Sequence, residues 1–315
     1  MQKLFLIFIT CLALSFGPGI VSAQKKTDKA THGIKAGKAG KKNKTKNGKT
    51  AKRSKKPAQK KGDKSAKNAP VDAATSEAVA NALEDLSSKD PDVIIEAIQI
   101  IGATGDTSAV PKLVSLLKTG PRSDITDSIL FALGMLPHED AEPVLIDYLN
   151  HRRADARTAA IMALENYKSE TVTEALEGAL ADSDRQVRAA AALALGKRGS
   201  KSAVPILFVA FERGVIEAAI AIGQVGSEED AKRLTRYLGK EDIKVLLAGF
   251  DEFLKREDFP EDAKLNILNR LFDLAGPEVW RFAVTYKATF PPETNENEDR
   301  LYKLVCRMVR QIKDK

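Results

Sequence analysis

The sequence predicts an all-α fold, an α-solenoid of stacked helix pairs preceded by a basic, disordered N-terminal segment. Three observations predict it. A small residue closing an apolar stretch recurs at Gly102, Gly134, Glu165, Gly196 and Gly223, with Glu165 standing in for glycine. The intervals are 32, 31, 31 and 27 residues. After each of these positions a second amphipathic stretch follows, opened by Pro111, Pro143, Glu174, Pro205 or Lys232. Residues 24–69, by contrast, are lysine-rich, with Ile34 as their one large apolar residue. A fixed period in this range marks a repeat array. One pair of short helices cannot bury its apolar face, so neighbours must stack.

The chain opens with Lys3 and the apolar run from Leu4 to Phe16, broken by Gly17-Pro18-Gly19 and followed by Val21-Ser22-Ala23. This is the layout of a secretory signal peptide over residues 1–23, with cleavage before Gln24. It implies an exported protein, periplasmic or secreted. The lysines that follow at once support the alternative of an uncleaved, membrane-anchoring segment, because positive charge beside an apolar run tends to stay cytoplasmic.

Residues 24–69 hold 17 Lys and one Arg against Asp28 and Asp63, a net charge of +16. With no apolar surface to bury, this segment cannot offset the entropy of ordering. Lys41, Lys42, Lys44, Lys46, Lys49, Lys52, Arg53, Lys55, Lys56, Lys60 and Lys61 are its candidate polyanion contacts. Each phosphate neutralised releases counterions, which gives salt-dependent binding without sequence preference. The segment has no aromatic residue to stack on bases, which argues against base-selective recognition. Its expected partners are an anionic envelope polymer, a lipid surface or nucleic acid, with the acidic body of the same chain as a further possibility. The whole chain carries +7, yet residues 70–315 carry −10, so an array of that charge repels phosphate.

Residues 70–240 form the repeats, and the fullest copy runs from Asp184 to Phe211. Val187, Ala191, Ala194 and Leu195 fall on one helical face. Asp182, Ser183 or Asp184 can cap the helix start, and Gly196 and Gly199 are read as ending it. Pro205 opens the next helix, where its missing N–H costs nothing, and Leu207, Ala210 and Phe211 continue the buried face. Residues 241–315 form a C-terminal helical region. In its last segment Leu301, Leu304, Val305, Met308, Val309 and Ile312 share one face, and Arg300, Lys303, Arg307, Arg310 and Lys313 occupy the other. A helix closing the end of the array accounts for this pattern.

Asp184, Val187, Arg188, Ala190, Ala191, Leu193, Gly196, Ala203, Val204, Pro205 and Leu207 together resemble the HEAT-like repeats of phycobilisome lyases. Arg157 matches Arg188 one repeat earlier, whereas Ile94, Thr126 and Val215 depart from the pattern. The resemblance covers about half the chain. It implies a fold shared by lyases, scaffolds and adaptors, and a concave face lined by the second helix of each pair. Carried onto this chain, it offers Lys112, Asp147, Glu177, Phe208 and Arg236 as exposed partner contacts.

No catalytic constellation is expected. His32, His138 and His151 lack ligands at metal-binding spacing. There is no phosphate loop and no nucleophile elbow. Cys306 has no histidine nearby in sequence and reads as a structural thiol. Neither cofactor nor metal is called for. The expected function is a non-enzymatic protein–protein interaction scaffold of the cell envelope, with the basic tail on an anionic surface. Nucleic-acid binding through the lysine-rich segment is the alternative, and a bilin lyase-like activity is the one that the resemblance alone suggests.

Overall fold

The computed structural model describes residues 73–313, all in helices and short connections. The signal-like segment and the lysine-rich tail lie outside the described residues. A leading helix, α1 (Ala73–Asp85), is followed by seven pairs. These are α2 (Pro91–Thr104) with α3 (Val110–Lys118), α4 (Ser123–Met135) with α5 (Glu142–Tyr148), and α6 (Ala154–Leu164) with α7 (Glu170–Ala179). Then come α8 (Arg185–Lys197) with α9 (Val204–Glu212), and α10 (Ala218–Val225) with α11 (Glu228–Thr235). The last are α12 (Ile243–Lys255) with α13 (Glu261–Leu274), and α14 (Pro277–Lys287) with α15 (Arg300–Lys313).

Local chemistry sets most of these boundaries. The Asp184 carboxylate accepts hydrogen bonds from the backbone N–H groups of Gln186 and Val187 and so caps α8. Asp90, Ser169 and Asp242 cap α2, α7 and α12 in the same way. Ser227 and Asp230 form a reciprocal capping box on α11, satisfying two donors that the first turn leaves without intrahelical partners. Pro111, Pro143, Pro205 and Pro277 sit in the first turns of α3, α5, α9 and α14. At the end of α8 the chain turns at Gly199, where φ is +73°. That left-handed turn lets the Ser200 N–H reach back to the Leu195 carbonyl.

The first helices α2, α4, α6, α8, α10, α12 and α14 each pack on the next, forming one layer. Beneath it, the second helices α3, α5, α7 and α9 pack on the first helix of the following pair, and α11, α13 and α15 on the first helix of their own. Ile98, Ile101, Ile129, Leu133, Ile161, Leu164, Val187, Leu195, Ile222, Leu246 and Phe250 are buried from the first layer. Leu113, Leu117, Leu145, Leu176, Leu207, Leu234 and Leu268 meet them from the second.

Here the structure corrects one reading. Gly196 does not end its helix; it lies inside α8, as Gly102, Gly134 and Gly223 lie inside α2, α4 and α10. These positions mark close approach of one first helix to the next. A Cβ on Gly134 would stand 2.8 Å from the Ala163 Cα, and one on Gly196 would stand 2.9 Å from the Ala221 Cα. The period seen in the sequence is therefore the period of helix contact. The paired geometry also persists past residue 240, where the sequence register loosens: α14 packs on α12, and α15 on α13 and α14.

Polar side chains tie successive repeats. The Tyr167 hydroxyl donates to the Leu133 carbonyl (3.0 Å) and the Asn166 amide to the Gly134 carbonyl (2.8 Å). One repeat on, Arg198 donates to the Leu164 carbonyl (3.1 Å) and to the Ser169 carbonyl (3.0 Å). Arg256 donates to the Gly226 carbonyl at 2.6 Å. Helix C-termini leave carbonyls without intrahelical partners, and those of Leu133, Gly134 and Gly226 are satisfied here from the following repeat. Arg157 and Arg188 share a second task. Each donates to carbonyls six and five residues earlier, His151 and Arg152 in one case and Asp182 and Ser183 in the other.

Candidate interaction surfaces

Of the five contacts offered by the resemblance, four lie wholly or partly at the surface and Phe208 does not. Lys112 is exposed on α3, and its ammonium reaches the Leu83 carbonyl of α1 at 3.3 Å. Asp147 is exposed on α5, and Arg236 is exposed just past α11. Glu177 is half-buried on α7. Burial pushes its carboxyl above the usual range, and Glu170 and Glu174 add to the shift. Phe208 is not a surface residue: it is fully buried, with the Arg233 guanidinium 3.9 Å above its ring. Its expected exposure fails because α9 is apolar on nearly every side, and Phe208 turns toward the core beside Leu207 and Phe211. The eleven tail cations from Lys41 to Lys61 lie outside the described residues.

Most exposed large apolar side chains instead sit on the first-helix layer. Phe131 is 51% exposed, Met135 52% and Met162 49%. Phe131 of α4, Met162 of α6, Leu193 of α8 and Ile220 of α10 all lie three residues before the contact positions Gly134, Glu165, Gly196 and Gly223. Because these helices stack in sequence, equivalent positions fall side by side and make a continuous apolar ridge. Leu193 and Ile220 are half-buried members of it. Seven residues before Phe131 and Met162 stand Asp124 and Asp155, and Asp92 holds the equivalent place on α2, seven before Gln99; the three make a row of carboxylates that flanks the α4 and α6 end of the ridge. The periodicity that marks the repeat also contained this signal, but a core-facing reading hides it, since outward apolar residues break no periodic rule.

Charge is unevenly shared along the array. Residues 73–182 hold 19 Asp and Glu against 8 Lys and Arg, while residues 183–313 hold 20 against 22. Some of the acidic groups have structural tasks. Asp182 forms a double hydrogen bond with Arg157, both at 2.8 Å, and the two side chains are only 13% and 12% exposed. Burial raises the Asp182 carboxyl, but hydrogen bonds from Arg157 and the Asp184 N–H outweigh it and hold the group below its ordinary value. Asp127 pairs with Arg153, and Asp124 with Arg122.

His138 Nδ1 accepts from the Asp140 N–H and His151 Nδ1 from the Arg153 N–H, each at 3.2 Å, so both histidines shape turns. Cys306 is buried on α15. Among the described residues no cluster of three or more His, Cys, Asp or Glu side chains could hold a metal ion. No described helix is long and apolar enough to cross a membrane.

Stacked helix pairs with nearest-neighbour contacts define an α-solenoid. Residues 121–195, 142–214 and 179–249 match the family model for HEAT repeats. The chain is a HEAT-like repeat protein. Among solved structures it is similar to the complex of CpcE and CpcF of phycocyanin lyase from Nostoc sp. PCC7120. That match has 18% identity, covers 81% of this chain and 100% of that one, and has a TM-score of 0.43. An engineered protein matches at 18% identity over 75% of this chain and 68% of its own, with a TM-score of 0.40. Human deoxyhypusine hydroxylase in complex with glycerol matches at 15% identity, over 75% and 84% of the two chains, with a TM-score of 0.27. No curated protein matches the sequence.

Proposed function

We propose that the protein is a non-enzymatic interaction scaffold of the cell envelope. In this reading it is exported, its lysine-rich segment contacts an anionic surface or polymer, and its first-helix layer seats a helical segment of a protein partner. The observation that carries the reading is the apolar ridge of Phe131, Met162, Leu193 and Ile220, with Met135 beside it. Soluble proteins seldom expose contiguous apolar surface without an interaction to use it. Methionine and aromatic side chains adapt readily to an apolar partner.

The acidic row of Asp92, Asp124 and Asp155 narrows the occupant to an amphipathic helix with a basic flank. Four stacked helices at 8–10 Å spacing span about 30 Å, the length of a helix of about 20 residues. A helix of that kind laid along the ridge sets its apolar side on Met162 and its basic side against the carboxylates.

The test is a photocrosslinking residue placed at Met162 on one layer and at Ile206 on the other, in the full chain produced in its own cells. The expected result is one defined adduct through position 162 whose crosslinked peptide is a basic amphipathic helix, weakened by Asp124→Asn with Asp155→Asn. An adduct with a second copy of this chain, or equal capture at both positions, overturns the reading.

A further inference from the structure

A second surface differs from the apolar ridge in place and in chemistry. Helices α13 and α15 pack side by side and leave a groove of about 450 Å³ between them. Its floor is Leu265 and Leu304. Asn266 and Asn269 of α13 form one wall, and Lys303 and Arg307 of α15 form the other. At one end Arg300 is drawn aside by ion pairs to Glu261 and Asp262.

The four wall residues are exposed. Among the described residues, none of their side chains makes a hydrogen bond or ion pair. Lys303 acts on Glu296 only as one of several nearby cations. Most arginines of the array, by contrast, clamp a carbonyl or a carboxylate. Helix α15 carries no acidic residue between Arg300 and Lys313, so its outward cations repel one another mildly. An incoming anion relieves that repulsion.

The two walls offer complementary chemistry. A carboxamide presents both a donor and an acceptor, the same pair that one peptide unit presents. Asn266 and Asn269 lie one turn apart on one helix face, as do Lys303 and Arg307. Four helical residues rise about 6 Å, and alternate residues of an extended strand are about 6.6 Å apart. Two carboxylates separated by one residue therefore match the spacing of Lys303 and Arg307 while the peptide backbone lies against the asparagines.

We propose that the groove between α13 and α15 binds an extended acidic peptide segment with alternating Asp or Glu residues. This rests on the reading of the protein as a partner-binding scaffold, but on a different surface from the ridge. Recognition is by backbone and by carboxylate together, so a neutral peptide and a bare anion each satisfy only half the site.

The test uses fluorescence anisotropy on the full chain with a labelled Gly-Glu-Ala-Glu-Ala-Glu-Gly peptide. Its Gln counterpart and inorganic phosphate serve as probes of the two halves. Expected is binding that falls at least about tenfold with Lys303→Gln plus Arg307→Gln, as loss of paired charges does at other interfaces. A comparable fall is expected with Asn266→Ala plus Asn269→Ala, and little binding of the Gln peptide. All four positions are exposed, so circular dichroism and thermal melting should be unchanged. Equal binding by both double variants assigns the peptide to the lysine-rich tail and overturns the site. Full binding by the asparagine variant, with phosphate competing as well as peptide, overturns peptide recognition in favour of a plain anion patch. A crosslink at Met162 with no peptide binding defeats the groove and leaves the scaffold reading intact; the reverse outcome defeats the ridge alone.

Discussion

The Tyr167 hydroxyl donates to the Leu133 carbonyl at a separation of 34 residues, and Arg198 donates to Leu164 at the same separation. Tyr167 and Arg198 each stand two residues after the helix-contact position of their own repeat. Each reaches back to the residue just before that position in the preceding one. Burial pushes the Tyr167 hydroxyl up to about 12, so the bond survives through neutral and moderately alkaline solution.

Replacing Tyr167 with Phe leaves the Leu133 carbonyl without this buried donor. The expected cost is about 1–2 kcal/mol, measured as a shift in the urea midpoint with unchanged slope. A variant as stable as the parent would mean that water or a backbone donor replaces the hydroxyl.

The glycines are predicted to differ by how close their neighbours come. In Gly134→Ala the new methyl meets the Ala163 backbone at 2.8 Å, and overpacking of this kind costs about 1–3 kcal/mol. In Gly102→Ala it meets the Ala132 Cβ at 3.3 Å. There a small shift suffices, and the helix-propensity gain of about 1 kcal/mol offsets much of the cost. Thermal melts of the two variants should therefore separate clearly.

Asp182→Asn is expected to destabilise by about 2–3 kcal/mol at neutral pH, since it breaks a largely buried pair and strands the Arg157 charge. The folded carboxyl lies below its unfolded value. Its stabilisation is thus fully present above the ordinary carboxylate pKa and is lost as pH falls through the lowered one. Denaturation curves of parent and variant should converge in strong acid.

Glu177 has the opposite sign. Its carboxyl is raised on folding, so the folded state loses stability as pH climbs from the ordinary carboxylate value through the raised one. Glu177→Gln should melt slightly higher than the parent at neutral pH and equally in acid. A lower melt at neutral pH would show that the carboxylate has a stabilising partner.

For the N-terminus, the intact mass of the protein from its own cells is expected to begin at Gln24. A mass that retains residues 1–23 would replace export and cleavage with an anchored chain.

The repeat and its helix pairs were readable because burial imposes a period. Val187, Ala191, Ala194 and Leu195 are buried as their spacing requires, and of the three candidate caps Asp182, Ser183 and Asp184 it is Asp184 that caps the helix. The role of Gly196 was not readable. A glycine near a helix end serves a turn or a close contact equally well, and only the position of Ala221, 25 residues on, decides. Phe208 was misplaced because α9 is apolar almost all round and gives no rotational reference. The groove of α13 and α15 was hidden for a further reason. Asn266 and Arg307, 41 residues apart in the chain, become neighbours only when their helices are set together.

The back-reaching side chains have a consequence for synthesis. Each belongs to a later repeat than the helix end it satisfies, so a repeat leaving the ribosome is incomplete until about 34 further residues have followed. At 5–20 residues per second that is a delay of roughly 2–7 seconds. During it the newest helix end stays open to chaperones. The order of emergence thus determines which part of the array is last to close.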